Sequence, residues 1–165
     1  LNQLFTHDTQ QERRFLTRFS LKTMADAGSR QREIPCGRMR VLLVEDNPVN
    51  RTLTRRLLEK LGCEVMTAND GQAASSLWQW HQFDVVFMDC VMPRMDGYEA
   101  TRQLRAWETN HGRSRVPVVA LTASAMEEDE ERCREAGMDS FVAKPVNLEM
   151  LRAVLEQYCQ ASATS

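Results

Sequence analysis

From Met39 onward, short apolar runs alternate with amphipathic stretches five times over. Val41-Leu42-Leu43-Val44 and Val85-Val86-Phe87-Met88 are continuous and β-prone, as expected of strands buried on both faces of a parallel sheet. Val118-Val119-Ala120-Leu121 and Phe141-Val142-Ala143 read the same way, and Glu64–Ala68 reads as a shorter strand. Behind Pro48 and before Gly62, Leu53, Leu57, Leu58 and Leu61 mark a helical face. Asn69-Asp70-Gly71 turns the chain into a helix through Ala73, Ala74 and Leu77. A Pro93–Gly97 turn leads to another helix through Ala100, Leu104 and Trp107. Near Met126–Ala136 a helix has Glu127–Glu131 at its amino end and Arg132 and Arg134 toward the other, as the helix dipole favours. Gly137 stops it. Asn147 is placed to cap a last helix carrying Leu148, Leu151, Val154, Leu155 and Tyr158. Five such units predict an α/β fold, a doubly wound five-stranded parallel sheet between two layers of helices.

Ligands of such sheets collect at the carboxyl ends of the strands. Strand one ends in Glu45-Asp46, strand three in Asp89, strand four in Thr122, and strand five in Lys144. Two bare carboxylates about 4 Å apart repel by roughly 4 kcal/mol at an effective dielectric near 20. Three therefore call for cations. Lys144 is one, and a hard divalent ion with oxygen ligands is the natural other. Mg2+ suits best, because it keeps waters and binds through one or two carboxylates plus a phosphate; Mn2+ is the alternative. A single aspartate at a strand end ordinarily caps a helix or is solvated, so the weight lies in the joint occurrence at separate strand ends. Only three of the 21 basic residues are lysines, and a compact ammonium beside a small oxyanion suits the site better than a guanidinium fork.

Composition sharpens the domain picture. Of 165 residues, 42% are hydrophobic and 27% charged, which is globular in class. The net charge of −2 argues against a dedicated nucleic-acid binder. It is unevenly spread: residues 1–38 carry 7 basic and 4 acidic side chains, the remainder 14 and 19. The first segment reads as a basic lead-in or linker, with one short helix near Gln11–Met24 on which Phe15, Leu16, Phe19 and Thr23 share a face. The domain proper is expected over 39–160, and 161–165 as a polar tail. No signal peptide opens the chain, and no apolar run approaches the roughly 18 residues of a membrane span. The chain begins at Leu1 and is expected to be a piece of something larger. Five widely spaced cysteines, Cys36, Cys63, Cys90, Cys133 and Cys159, suggest neither a disulfide framework nor a zinc site and fit a reducing, cytoplasmic setting. Trp78 and Trp80, two apart on one helix, cannot both face the core. His7, His81 and His111 have no metal or triad spacing and read as surface residues.

Four stretches, in order, carry a resemblance. Val41-Leu42-Leu43-Val44-Glu45-Asp46-Asn47, Met88–Gly97, Ala120-Leu121-Thr122-Ala123 and Lys144-Pro145 resemble the receiver domain of two-component response regulators, a flavodoxin-like (βα)5 fold. Glu45–Asn50 and Met95–Arg102 look most like receivers attached to hybrid sensor histidine kinases. The resemblance implies that Asp89 accepts a phosphoryl group from a phosphohistidine, with Mg2+ held by Glu45, Asp46, Asp89 and the backbone carbonyl of Val91. Lys144 and Thr122 would contact the phosphoryl group, and Lys144-Pro145 would be a cis peptide aiming the ammonium inward. Thr122 and Phe141 would form the switch, read out on the fourth helix, fifth strand and fifth helix, which could also pair two copies. Val91 and Ser124 occupy the positions that tune phosphoaspartate lifetime, and the apolar Val91 implies slow hydrolysis. The implied partners are a histidine kinase domain, a histidine phosphotransfer domain, or both, with no direct contact to nucleic acid or membrane. The segment would be an acceptor rather than a turnover enzyme, whereas a hybrid parent would be a histidine kinase, anchored in the inner membrane.

Three other readings remain in play. A stand-alone receiver would share every motif. An Asp-nucleophile Mg2+ phosphatase would need Asp-x-Asp on the first strand, where Glu45-Asp46 are adjacent. A flavin-binding module would need a phosphate-cradling loop after that strand, where the two carboxylates would repel phosphate. Only five residues follow the expected domain, leaving no room in this chain for a DNA-binding output.

Overall fold

The computed structural model describes residues 38–163 apart from Ala125, with side chains described through Cys159. The expected helix near Gln11–Met24, His7 and most of the lead-in lie outside these residues. Strands β1 (Arg40–Val44), β2 (Glu64–Ala68), β3 (Val85–Asp89), β4 (Val118–Thr122) and β5 (Ser140–Ala143) alternate with helices α1 (Pro48–Lys60), α2 (Gly71–Trp80), α3 (Gly97–Asn110), α4 (Glu127–Ala136) and α5 (Leu148–Ala163). All strand pairs are parallel, in the order β2-β1-β3-β4-β5. The helix α5 runs through Ala163, past the expected boundary at Gln160, so 161–163 belong to a helix rather than to a tail.

Alternation along each strand sends successive side chains to two separate cores. Leu42, Val44, Val86 and Met88 pack with Ala74, Trp78, Leu104 and Cys133, the side covered by α2, α3 and α4. Val41, Leu43, Val85 and Phe87 pack with Leu58, Leu61, Leu151 and Leu155, the side covered by α1 and α5. Each such side chain contributes roughly 2 kcal/mol of burial. The α1 stripe differs from expectation: Thr54, Leu58 and Leu61 are buried, whereas Leu53 is half exposed. Helix ends follow local chemistry. Asn47 Oδ1 accepts from the N–H groups of Val49 and Asn50, Asn147 Oδ1 accepts from Met150, and Gly137 takes φ 97° to stop α4. Trp78 is buried and Trp80 exposed. His111 is exposed and His81 partly so.

Cys63, Cys90 and Cys133 are free and buried. Cys159 is disulfide-bonded, which corrects the expectation of no disulfide; spacing along a chain does not show which thiols a fold brings together. Among the described residues, no helix is long and apolar enough to cross a membrane.

The amino ends of the strands are tied by Arg105. Its guanidinium donates to the carbonyls of Gly137 (2.9 Å) and Val116 (2.7 Å), to Glu108 (2.9 Å) and to Asp139 (2.8 Å). Arg115, far more exposed, also reaches Asp139 at 3.0 Å. Arg105→Ala removes the largely buried cation that joins Glu108 to Asp139 and should cost about 3 kcal/mol in urea unfolding, whereas Arg115→Ala should cost less than about 1 kcal/mol. Equal losses would contradict the distinction.

Candidate functional site

Strand order puts β1 beside β3, with β2 on one flank and β4-β5 on the other. The chain therefore reverses direction across the sheet between β1 and β3, and a crevice opens where the two connections part. The residues leaving these two strands are Glu45, Asp46 and Asp89. One carboxylate oxygen from each lies within 4.8 Å of the others. Glu45 and Asp89 are buried and Asp46 is partly exposed.

Lys144, leaving β5, bridges the two buried acids. Its Nζ is 2.9 Å from Glu45 Oε2 and 3.0 Å from Asp89 Oδ1. The Lys144-Pro145 peptide is cis, as the resemblance implied. Lys144 N–H donates to the Thr122 carbonyl at 2.7 Å, fixing where the lysine leaves the sheet. Burial disfavours the ammonium, but the hydrogen bonds to Glu45 and Asp89 outweigh it and raise its pKa. For Asp89 the balance is reversed. Burial and the neighbouring Glu45 push its carboxyl up to about 7 against the pull of Lys144. One ammonium does not compensate this many acids. Such a surplus on hard oxygen donors, partly open at Asp46, fits a divalent ion such as Mg2+.

Backbone contacts hold the carboxylates in place. Asp89 Oδ1 accepts from Val91 N–H at 3.2 Å, and Glu45 Oε1 from Asn47 N–H at 3.2 Å. Arg51 donates to the carbonyls of Glu45 (2.9 Å) and Asp46 (3.2 Å). Gly97, the first residue of α3, presses on the end of β3, and a Cβ there would sit 2.2 Å from the Asp89 carbonyl oxygen. Sequence reading placed Gly97 in a turn; the close approach that requires glycine shows only in three dimensions.

The remaining expected residues surround this centre. The Thr122 hydroxyl, at the end of β4, donates to the Ser124 carbonyl. Phe141 is buried on β5, opposite Ala120 in the register. Val91 is 75% exposed, and Ser124 is partly buried. Cys90, Val91, Thr122, Ser124, Asp129 and Arg132 help to line an adjoining cavity of about 280 Å³. A larger one, about 380 Å³, sits at the amino ends of the strands, between Trp78, Phe83 and Trp107, away from the acids.

Without a divalent ion the raised Asp89 pKa has a stability consequence. The folded chain holds this proton more tightly than the unfolded one, so stability declines as pH rises from about 4 to about 7. Asp89→Asn removes the charge. In chelator it should stabilise the chain by about 2 kcal/mol near pH 8 and by almost nothing near pH 3.5. Urea titration at both pH values reads this, and a gain independent of pH would contradict it.

Comparison with known proteins places this arrangement. A family model described as the response regulator receiver domain matches residues 41–156. The virulence sensor protein BvgS of Bordetella bronchiseptica is 42% identical over 127 residues, which is 76% of this chain but 10% of that protein. The chain thus spans about a tenth of the length of the first curated relatives it matches. The receiver domain of the sensor histidine kinase PA1611 from Pseudomonas aeruginosa, solved with a magnesium ion in its active-site cleft, is 41% identical with a TM-score of 0.67. That match covers 74% of this chain and 98% of that one. A chain in the co-crystal structure of the Saccharomyces cerevisiae phosphotransfer protein Ypd1 with the receiver domain of Ssk1 is 30% identical, with a TM-score of 0.73 and coverage of 77% and 92%. With the fold, the family match and these relatives in agreement, the chain belongs to the response regulator receiver family.

Proposed function

We propose that Asp89 is the phosphoacceptor of a phosphorelay receiver and takes its phosphoryl group from a partner's phosphohistidine. The observation that carries this reading is the Lys144 ammonium bonded to both Glu45 and Asp89 at the β1/β3 crossover, with Asp46 beside them. An Asp89 carboxylate oxygen attacks phosphorus, the P–N bond breaks, and the imidazole leaves with its electron pair. Lys144 meets the charge that develops on the phosphoryl oxygens. Glu45, Asp46, Asp89 and the Val91 carbonyl would hold Mg2+, which supplies charge stabilisation and keeps Asp89 ionised at neutral pH. The adjacent Glu45-Asp46 pair just after β1 and a nucleophile on β3 do not meet the Asp-x-Asp requirement of the phosphatase alternative.

Phosphorylation adds about 1.5 to 2 negative charges. The Thr122 hydroxyl then exchanges the Ser124 carbonyl for a phosphoryl oxygen, and Phe141 takes up the space left behind. The altered face is α4-β5-α5. The partner is a histidine kinase domain or a histidine phosphotransfer domain, in keeping with the Ypd1 complex among the neighbours. The relatives are large sensor proteins, which supports a hybrid sensor kinase as parent, with this segment on the cytoplasmic side of an inner-membrane anchor.

Incubation with Mg2+ and acetyl phosphate should give a hydroxylamine-sensitive adduct on Asp89, absent from Asp89→Asn and from chelated samples. Release of phosphate from sugar phosphates over many turnovers would overturn the reading.

Val91 offers no polar group to orient an attacking water, so the adduct should last minutes or longer. Val91→Asn should shorten its half-life. A native half-life of seconds would count against this assignment.

A further inference from the structure

The 380 Å³ cavity at the amino ends of the strands takes no part in the phosphoacceptor chemistry. Its volume suits a single ring system with a short substituent. The apolar lining comes from Val86 on β3, Leu104 on α3 and Val116, just before β4. Trp78 on α2, Phe83 ahead of β3 and Trp107 on α3 add three aromatic side chains from separate segments. Trp78 is buried, and its indole N–H has no hydrogen-bond partner. A buried donor left unmet is costly, so this lining favours a ligand that carries acceptors.

The charges around the cavity are unequally committed. Glu108 is buried and engaged, taking a hydrogen bond from Arg105 at 2.9 Å and another from the Val116 N–H at 2.8 Å. Asp84 accepts from the Arg40 N–H at 2.7 Å. The cations are not engaged in the same way. Arg40 and Arg113 are exposed, and among the described residues neither guanidinium pairs with a carboxylate. Both also line a second cavity, of about 290 Å³, that includes the exposed Trp80. The Arg113 guanidinium lies 5.7 Å from the centre of the Trp107 ring, and its own backbone N–H donates to the Glu108 carbonyl at 2.8 Å. A cation thus stands fixed beside an aromatic side chain at the edge of an apolar hollow. Guanidinium groups in such a position match a carboxylate in shape and charge.

We infer that this cavity is a binding site for a small planar aromatic carboxylate, its ring seated among Trp78, Phe83 and Trp107 and its charge met by Arg113 and Arg40. Burial of the ring against aromatic and apolar side chains supplies most of the affinity. The two guanidinium groups select the anion and turn its carboxylate outward. A neutral ring meets only the first requirement, and an aliphatic anion only the second.

The test titrates the full chain with cinnamate while the indole N–H signals are followed in proton–nitrogen correlation spectra. Trp78, Trp80 and Trp107 are the three tryptophans of the chain, so single replacements by phenylalanine assign their signals. The Trp78 and Trp107 signals should shift and saturate, with a dissociation constant of about 1 mM or below. Cinnamamide keeps the shape and lacks the charge, and acetate keeps the charge and lacks the ring. Each should bind several-fold more weakly than cinnamate. Arg113→Gln, at an exposed position, should weaken cinnamate several-fold and leave cinnamamide unchanged. Shifts confined to Trp80 would mean adsorption on the exposed end of α2 and would overturn the inference. So would shifts that never saturate, equal affinity for cinnamate and cinnamamide in the native chain, or undiminished cinnamate binding by Arg113→Gln.

Discussion

The contact of Lys144 with Glu45 and Asp89 sets the terms for the carboxyl end of the sheet. Glu45 and Asp89 are brought together by neighbouring parallel strands, so the sheet cannot form without confronting their repulsion. The ammonium makes the confrontation tolerable, at the expense of its own hydration and with Asp89 still displaced upward. Several nearby features serve this one arrangement. Arg51 donates to the carbonyls of Glu45 and Asp46, Lys144 is itself anchored on the Thr122 carbonyl, and Gly97 lets α3 begin hard against β3. On the proposed reading, the residual negative charge suits the site to a cation and, with that cation, to a phosphoryl group.

Much of this was legible in the sequence because the physics is local. Strands buried on both faces must be continuous apolar runs, so β1, β3, β4 and β5 announced themselves with an end displaced by a residue, while the half-buried edge strand β2 falls at its expected bounds. The acids were legible because a strand end in such a sheet is a defined place. What stayed hidden depends on packing between distant segments. Thr54 takes a core position on α1 that the leucine count assigned to Leu53, because polarity does not report which way a helix is turned. The Arg105 cluster joins Glu108, Val116, Gly137 and Asp139 across up to 34 positions. The Cys159 disulfide stayed hidden because spacing along the chain does not show which thiols meet.

The two ends of the sheet have opposite characters. At the amino ends, Arg105 and Arg115 share Asp139, and Asp139 Oδ2 also accepts from Val118 N–H at 2.9 Å, so acids and bases are matched and cross-linked. At the carboxyl ends, acids outnumber bases. Helix α4 connects the two: beyond its carboxyl end, the Gly137 carbonyl accepts from Arg105, and Asp139 N–H donates to the Val118 carbonyl. Its amino end, lacking a side-chain cap, lies on the side of Thr122 and Ser124. A helix tied at one end and loosely packed along its length responds to force at the other by pivoting. On the proposed reading, charge added at Asp89 would act first at that end, while the matched cluster lies at the opposite edge of the sheet. The asymmetry of charge compensation therefore also sets where the domain is stiff and where it can move.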